Sequence, residues 1–460
     1  MTEPLIIGAM VRTLGAYPSG WRHPGAHRNP AGDAAVLRDI AREGEEAGLD
    51  YLFFGDWLAT GPDLEFRDPY LLARIDPVSA VQFLAGLTSR IGLIATVNTT
   101  YADPYATARA LASLDVLTGG RAGVNLVTGA EPRAAGNHGR DAHADNETRY
   151  DRAEEFVHAL RRLWDSWAED AWLADAERGV LIDPDGLRDA DVRGEHVRVA
   201  GPLNVARPPQ GRIPIVHAGT SPRSRALAAT EADLALIAAP SLDDAVATRR
   251  SLRADAVAAG RDADGVRVIA PVLPVAAEST GEARRIVARL LELVPLAEGH
   301  QVGRAAFPAG RTVAALADLW EIAPDDGLRN AALDAPVTPA EAARLGSRGE
   351  ALAARLSAIA GLSVGAAASH PLTWRHLVAA QAVPAAFVVG DAARIADHFE
   401  EWRDAGAADG FNVLSAFQPG QFEAFTRLVV PELRRRGLLG RDGRTLRERL
   451  GIAAPALAAR

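Results

Sequence analysis

The chain has 460 residues, 48% of them hydrophobic and 24% charged, which is typical of a globular protein that buries a large core without disulfides. It contains no Cys, and all 50 basic residues are Arg, so thiolate chemistry, Cys-ligated metals, PLP Schiff bases and P-loop lysines are excluded. The net charge of -9 argues against nucleic acid, and the lack of a long apolar run or signal peptide predicts a cytoplasmic protein without membrane contact.

Short apolar runs alternate with amphipathic segments along the chain. The predicted strands are residues 5–10, 51–56, 91–97, 122–127, 214–218, 232–238, 266–276 and 410–417. The predicted helices are residues 34–48, 76–89, 104–117, 148–167, 221–231, 242–259, 280–293, 394–405 and 422–435. Eight repeated strand–helix units predict an α/β fold whose parallel sheet is covered on both faces. Because neither a dinucleotide fingerprint nor a Walker A loop occurs, a (β/α)₈ TIM barrel is favoured over an open sheet.

Two segments interrupt this alternation within what we interpret as one barrel domain over residues 1–460. Residues 170–212 are rich in Asp, Gly and Pro, and residues 296–385 are rich in Ala and mostly helical in pattern. Barrel enzymes place substrate-specific structure in loops at the carboxyl ends of their strands. The two insertions are therefore expected to form a lid and pocket walls, with packing or contact between protomers as the alternative.

Polar residues stand where the predicted strands end. Asp56 follows the second strand, Thr96 lies at the end of the third, and Gly219-Thr-Ser221 leads from the fifth strand into a helix. Free N–H groups and hydroxyls at a helix start form a natural phosphate site, and Arg223 and Arg225 add positive charge. Thr220 or Ser221 could equally be a simple helix cap.

Two further motifs concern catalysis. His23 lies in the Trp21-Arg-His-Pro24 loop after the first strand, where it could carry a proton or simply be solvated. Gly361-Leu-Ser-Val-Gly365, followed by His370, matches the nucleophile elbow of serine hydrolases. The elbow requires a preceding strand, whereas residues 350–360 have a helical pattern, so the match is interpreted as coincidence.

The chain resembles the flavin-dependent monooxygenases of the bacterial-luciferase-like superfamily. The similarity is strongest to the subgroup with nitrilotriacetate monooxygenase component A, pristinamycin IIA synthase and dibenzothiophene-sulfone monooxygenase. The matching segments include Trp21-Arg-His-Pro24, Leu114-Asp-Val-Leu-Thr-Gly-Gly-Arg121, Arg149-Tyr150, Leu163-Trp-Asp-Ser-Trp167, Ala218-Gly-Thr-Ser221 and Ala408-Asp-Gly-Phe-Asn412. They run nearly from end to end, with residues 296–385 the least similar.

The resemblance implies a two-component enzyme. Members typically take reduced FMN from a separate NAD(P)H:flavin reductase and use O₂ to oxygenate a small organic substrate through a flavin C4a-peroxide, usually as homo-oligomers. Matched by position, the flavin contacts are Asp56, Thr96, Asn146, Tyr150 and Ser221. Asn146 stands where the family often has His, so a proton carrier is missing there unless His143 replaces it.

Several alternatives stay open within this resemblance. His217 stands where the family often has Gln, and its ring could face the flavin or fill the barrel. An F420-dependent oxidoreductase shares the barrel and would transfer hydride without consuming O₂. A catalytically inactive flavin-binding protein is the third possibility, favoured only by Asn146. The sequence leaves the substrate unidentified.

Overall fold

The computed structural model describes residues 3–29, 32–60, 74–238, 241–296, 301–302, 305–306, 312–323 and 327–455. Eight parallel strands form the centre of the molecule: β1 (Ile6–Met10), β2 (Tyr51–Phe54), β3 (Gly92–Asn98), β4 (Ala122–Val127), β5 (Ile215–Ala218), β6 (Leu234–Leu236), β7 (Arg267–Ala276) and β8 (Gly410–Leu414). Seven helices follow the first seven strands: α1 (Asp33–Ala47), α2 (Pro77–Ala85), α3 (Pro104–Thr118), α4 (Asn146–Trp164), α5 (Pro222–Glu231), α6 (Leu242–Ala258) and α7 (Thr280–Glu292).

The sheet closes on itself. Each of β1 to β6 pairs with the next strand in parallel, β8 pairs with β1 and β7, and β6 pairs with β7 through Leu234 and Arg267. The expected (β/α)₈ barrel is thus confirmed, although several predicted strands were too long. The second ends at Phe54 rather than at residue 56, and the eighth ends at Leu414 rather than at residue 417.

Alternating side chains of each strand pack into different cores. Ile6, Phe53 and Ile94 point to the barrel axis, where they form a cluster of their own. Ile7 and Leu52, one residue away, belong to the larger core between the sheet and the helices. This period of two follows from the pleated strand and explains why the strands read as continuous apolar runs.

The amino-terminal end of the barrel is closed by the last helix of the chain, Leu446–Arg449. Leu446 and Leu450 belong to the cluster on the barrel axis. Gly92 of β3 allows this approach, since a Cβ there would stand 2.5 Å from Leu446 Cδ1. The carboxyl-terminal end of the barrel is not covered by this helix, and a functional site is expected there.

Helix starts follow the side chains that cap them. Asp76 and Asp103 accept from backbone N–H groups at the starts of α2 and α3, each followed by Pro in the first turn. Asp145 accepts from the N–H of Thr148 at 2.8 Å. Because of this cap, α4 begins at Asn146, two residues before the predicted start.

The segments outside the alternation have their own structure. Within residues 170–212 lie two antiparallel pairs, Trp172–Asp175 with Val180–Ile182 and Val192–Arg193 with Arg198–Val199. Beyond α7 come the short pair Gln301–Val302 and Ala305–Ala306 and the helices Val313–Leu319, Pro339–Ala342, Gly346–Ala360 and Trp374–Ala382. Side chains of the latter helices form a second core against α7, which includes Leu316, Leu356, Trp374 and Val287.

The sequence pattern missed one parallel strand, Phe387–Gly390, which extends the sheet by pairing with Leu273–Ala276 at the end of β7. The helix Ala392–Asp404 precedes β8, and the helical run Gly420–Ala424, Phe425–Val429 and Val430–Arg435 follows it, with a π-helical turn in the middle. In the part of the chain that the structure describes, no helix is both long enough and apolar enough to cross a bilayer.

Candidate active site

A cavity of about 380 Å³ opens where β2 to β5 end. Its volume lies within the range of small-molecule sites, about 300–1,000 Å³. Four of the six predicted site residues line it together, namely Asp56, Asn146, Tyr150 and Ser221. The strand ends, the first turn of α4 and the turn into α5 therefore converge as expected.

Ser221 begins helix α5, and its Oγ accepts from the N–H of Ser224 at 3.1 Å. The N–H groups of Thr220 and Ser221 donate to no other group among the described residues. The hydroxyl of Tyr150 lies beside this turn, 3.8 Å from where a Cβ on Gly219 would be. Together, the free N–H groups, two hydroxyls and the positive helix end form what we call the anion cradle, Gly219–Ser221 with Tyr150.

Arg223 was expected to add positive charge to the phosphate site, but its guanidinium is paired elsewhere. Its guanidinium pairs with three carboxylates along one face of α4, those of Glu147, Asp151 and Glu154. It also lies over the ring of Tyr150, 5.7 Å from the ring centre. Arg223 therefore clamps α4 to α5, and its charge is already compensated.

A different cation lines the cavity. Arg149 lies one turn into α4 and donates from Nη1 to the carbonyl of Ala144 at 2.6 Å. Its Nη2 donates to Oδ1 of Asn146 at 3.2 Å, while its buried Nε has no hydrogen-bond partner among the described residues. Asn146 therefore orients an arginine at the cavity wall.

The other end of the cavity is formed by the loop after β2. Oδ1 of Asp56 accepts from the N–H of Trp57 at 2.7 Å, and burial raises the pKa of the Asp56 carboxyl. The indole Nε1 of Trp57 is buried without a hydrogen-bond partner in the described part of the chain. This end can thus offer one acceptor and one donor to a bound molecule.

Thr96 lies inside β3, two residues before its end at Asn98. It is 3% exposed, and its Oγ1 accepts from Nδ2 of Asn125 at 2.9 Å. It lines a neighbouring cavity of about 300 Å³ that shares Asp56 and Asn98 with the first. Its role as a flavin contact stays a prediction.

The residues present suit a ligand with a dianionic end and a flat polar-edged end. The cradle offers unpaired donors to an anion, and Trp57 Nε1 is a buried donor that lacks a partner among the described residues. Apolar side chains also line the cavity, those of Val127, Ala130, Ala134 and Ala218. A flavin mononucleotide has this chemistry, with a phosphate at one end and ring carbonyls and nitrogens at the other.

Comparison with known proteins identifies the family. A family model described as luciferase-like monooxygenase matches residues 17–409. N-acetyl-S-(2-succino)cysteine monooxygenase of Bacillus subtilis (strain 168) is 32% identical, covering 98% of this chain and 97% of that protein. Nitrilotriacetate monooxygenase component A of Aminobacter aminovorans is 34% identical, covering 98% and 96%. The chain belongs to the luciferase-like monooxygenase family.

Solved structures agree with this assignment. DmoA from Hyphomicrobium sulfonivorans superposes with a TM-score of 0.76 at 25% identity, covering 97% of this chain and 92% of that one. Riboflavin lyase, solved with modified FMN and riboflavin, gives 0.74 at 28% identity, covering 98% and 96%. The coenzyme F420 dependent tetrahydromethanopterin reductase from Methanopyrus kandleri has a TM-score of 0.52 at 15% identity, so the similarity to it shows the fold alone.

His143 does not line the cavity beside Asn146. Nδ1 of His143 lies 2.7 Å from the hydroxyl of Tyr101, away from the wall of the 380 Å³ cavity. Burial also lowers the pKa of the His143 ring, which disfavours its charged form. At this point the cavity wall therefore offers the amide of Asn146 and the guanidinium of Arg149, and no imidazole among the described residues.

His23, like Thr96, does not line the 380 Å³ cavity. Its ring stacks on Phe417 at 4.1 Å between ring centres, and its Nδ1 lies 3.0 Å from the carbonyl of Pro24. Its neighbour Arg22 donates to the carbonyl of Leu293 at the end of α7, which anchors the loop. The catalytic role of His23 stays a prediction.

The nucleophile-elbow interpretation is excluded by local structure. The helix Gly346–Ala360 leads directly into Gly361, so no strand precedes Ser363. The N–H of Ser363 donates to the carbonyl of His370 at 3.0 Å, an ordinary loop contact between backbones. Neither residue lines the cavity described above.

Sequence reasoning assigned no role to Arg149 or Trp57. The signal for Arg149 was present, because residues three and four apart share a helix face and Asn146 and Tyr150 are both predicted contacts. For Trp57 there was none, since the direction of a side chain in an irregular loop does not follow from periodicity.

Proposed function

We propose that the chain is an FMN-dependent monooxygenase of a two-component system, and that it takes reduced FMN from a separate NAD(P)H:flavin reductase. The observation that carries this proposal is the anion cradle facing the Asp56 end of one cavity, in a member of the luciferase-like family. Reduced FMN, when bound, supplies the electrons with which O₂ is activated for oxygenation of a small organic substrate.

The cradle would hold the phosphate. The N–H groups of Thr220 and Ser221 and the hydroxyl of Tyr150 are donors without a partner among the described residues, and Arg149 adds a positive charge at the same cavity. A phosphate monoester carries close to two negative charges near neutral pH, so charge-assisted hydrogen bonds give this end much of the affinity.

Asp56 and Trp57 would orient the ring system. Asp56 would accept from a ring N–H, and Trp57 Nε1 would donate to a ring carbonyl. The apolar side chains of Val127, Ala130 and Ala218 line the same cavity and would help to exclude water from the reacting groups, which limits side reactions. Asn146 orients Arg149 but has no titratable proton, whereas Asp56, whose pKa is raised by burial, would hold or release a proton at the opposite end of the cavity.

The relatives do not converge on one substrate class. The names of the two proteins compared above refer to a thioether and to an aminopolycarboxylate. We propose that residues 170–212 and 296–385 are insertions in one barrel domain, and that the second insertion forms part of the substrate pocket. The core it shares with α7, to which the His23 loop is anchored, supports this arrangement.

Equilibrium binding tests the proposed function. We expect anaerobic titration to give tighter binding of reduced FMN than of riboflavin, and no binding of F420. Binding of F420 in preference to FMN would replace the proposal with an F420-dependent oxidoreductase. Tight FMN binding without oxygenation of any compound in a panel of sulfides, amines and alkanes would favour an inactive flavin-binding protein.

A further inference from the structure

His217 of β5 lies directly behind the anion cradle. Its ring is buried, with 3% of the residue exposed, and both ring nitrogens have protein partners. Nδ1 is 2.7 Å from the carbonyl of Leu126 on β4, and Nε2 is 2.9 Å from Oγ of Ser224 in the first turn of α5. The imidazole thus joins two strand–helix units at the floor of the site.

The two contacts fix the protonation of the ring. A carbonyl oxygen can only accept, so Nδ1 carries the hydrogen and donates it to Leu126. In the neutral ring Nε2 then has none, and it accepts from the hydroxyl of Ser224. Burial lowers the pKa of His217, which keeps this neutral form at ordinary pH.

Ser224, which is held by His217, is in turn bonded to the cradle. Its N–H donates to Oγ of Ser221, the residue that begins α5. Gly219 packs directly against it, since a Cβ on Gly219 would come within 2.1 Å of Ser224 Oγ. Fixing Ser224 therefore fixes the backbone of the turn whose N–H groups are free.

The same ring also supports the other wall of the cradle. The ring of Tyr150 meets the His217 ring edge to face, with 6.3 Å between the ring centres. The Tyr150 hydroxyl lies 3.8 Å from the position of a Cβ on Gly219. One imidazole is therefore in contact with both elements that supply donors to an anion.

We propose that His217 is a positioning residue that pre-organises the cradle, and so sets the affinity for the phosphate group of FMN without touching the ligand. The inference rests on the proposed function, because it names what holds the proposed phosphate ligands. Pre-organised donors bind more tightly since less ordering is needed when the ligand arrives.

Two variants separate this role from simple core packing. His217→Phe keeps a ring against Tyr150 but removes both nitrogens, whereas His217→Gln keeps one donor and one acceptor on a flexible chain. Dissociation constants are measured for FMN and for riboflavin, which lacks the phosphate. We expect His217→Phe to weaken FMN binding about tenfold, equivalent to roughly one charge-assisted hydrogen bond misaligned at the cradle, and to leave riboflavin binding unchanged. His217→Gln should recover most of the loss.

Each other outcome is decisive. An equal loss for FMN and riboflavin in His217→Phe would mean that the ring only fills space, and an unchanged FMN constant would mean that the cradle is rigid without it. Either result overturns the inference while wild-type selectivity for FMN keeps the proposed function. A wild-type protein that does not distinguish FMN from riboflavin overturns the proposed function itself.

The protonation of the ring is tested without any ligand. In ¹⁵N spectra of the wild-type protein labelled at His, the signals of His217 are assigned by their loss in His217→Gln. We expect one protonated and one unprotonated ring nitrogen, with the hydrogen on Nδ1. A hydrogen on Nε2 would break the link to Ser224 and contradict the inference.

Discussion

A negative charge at Ser221 provides a selective test of the cradle. In Ser221→Asp the new carboxylate still begins α5, because Asp caps helices as well as Ser and can accept from the same N–H of Ser224. The fold of the turn is thereby preserved. The new negative charge would repel any anion bound at the free N–H groups of Thr220 and Ser221.

Coulomb's law gives the size of the effect. Two unit charges about 4 Å apart repel by about 4 kcal/mol at an effective dielectric constant near 20. Ser221 is half-buried, so solvent reduces the repulsion, and we expect a loss of about 2–4 kcal/mol. Since 1.4 kcal/mol corresponds to a factor of ten, the FMN dissociation constant should rise by roughly 30- to 800-fold.

The matched control is Ser221→Asn, which has the same shape as the aspartate and also caps helices but carries no charge. Flavin fluorescence titrations compare FMN with riboflavin in the wild type and both variants. We expect the large loss of affinity only for FMN binding to Ser221→Asp. Equal FMN binding in Ser221→Asp and Ser221→Asn would refute the placement of the phosphate at this turn.

Three further changes test the site and the fold. Tyr150→Phe should weaken FMN about tenfold by removing one charge-assisted hydrogen bond, with riboflavin unaffected; equal losses would contradict the role of the hydroxyl. Burial lowers the pKa of His398 to about 4, so the unfolded ring binds a proton below about pH 6.5 and the folded ring does not. The free energy of unfolding therefore does not depend on this ring above about pH 6.5, and it decreases as the pH falls toward 4. In urea melts across that range, His398→Phe should show a smaller decrease than the wild type. An unchanged pH profile would contradict this role of His398. Arg121→Met leaves five acceptors without their donor, on Thr118, Ala85, Ile91 and twice on Thr88, and should lower the free energy of unfolding in urea melts by about 3 kcal/mol or more. The exposed Arg90→Met should lower it little, and equal losses would contradict this role of Arg121.

The barrel could be predicted from the sequence because its signals are local. Buried parallel strands read as short apolar runs, and caps such as Asp76 and Asp103 mark where the helices begin. The strand Phe387–Gly390 was missed because it pairs with the end of β7 outside the strand–helix alternation, and no local pattern shows that pairing. The residues of this strand do not by themselves indicate which strand it pairs with.

The candidate site was predictable in part for a similar reason. Asp56 and Ser221 follow strands, and the carboxyl ends of parallel strands meet at one end of a barrel, so their proximity follows from topology. The pairing of Arg223 with Glu147, Asp151 and Glu154 joins two helices that are far apart in sequence. Such a pairing depends on the packing of α4 against α5, which no local pattern contains.

The central claim is that the chain uses reduced FMN to oxygenate a substrate, and stopped-flow spectroscopy tests it most directly. The protein is mixed anaerobically with an equal amount of reduced FMN and then with O₂, and the visible absorbance of oxidised FMN is followed. We expect oxidised FMN to appear later than in a protein-free control, through at least one additional kinetic phase. A trace identical to that of free flavin, together with hydride transfer to or from F420, would contradict the account.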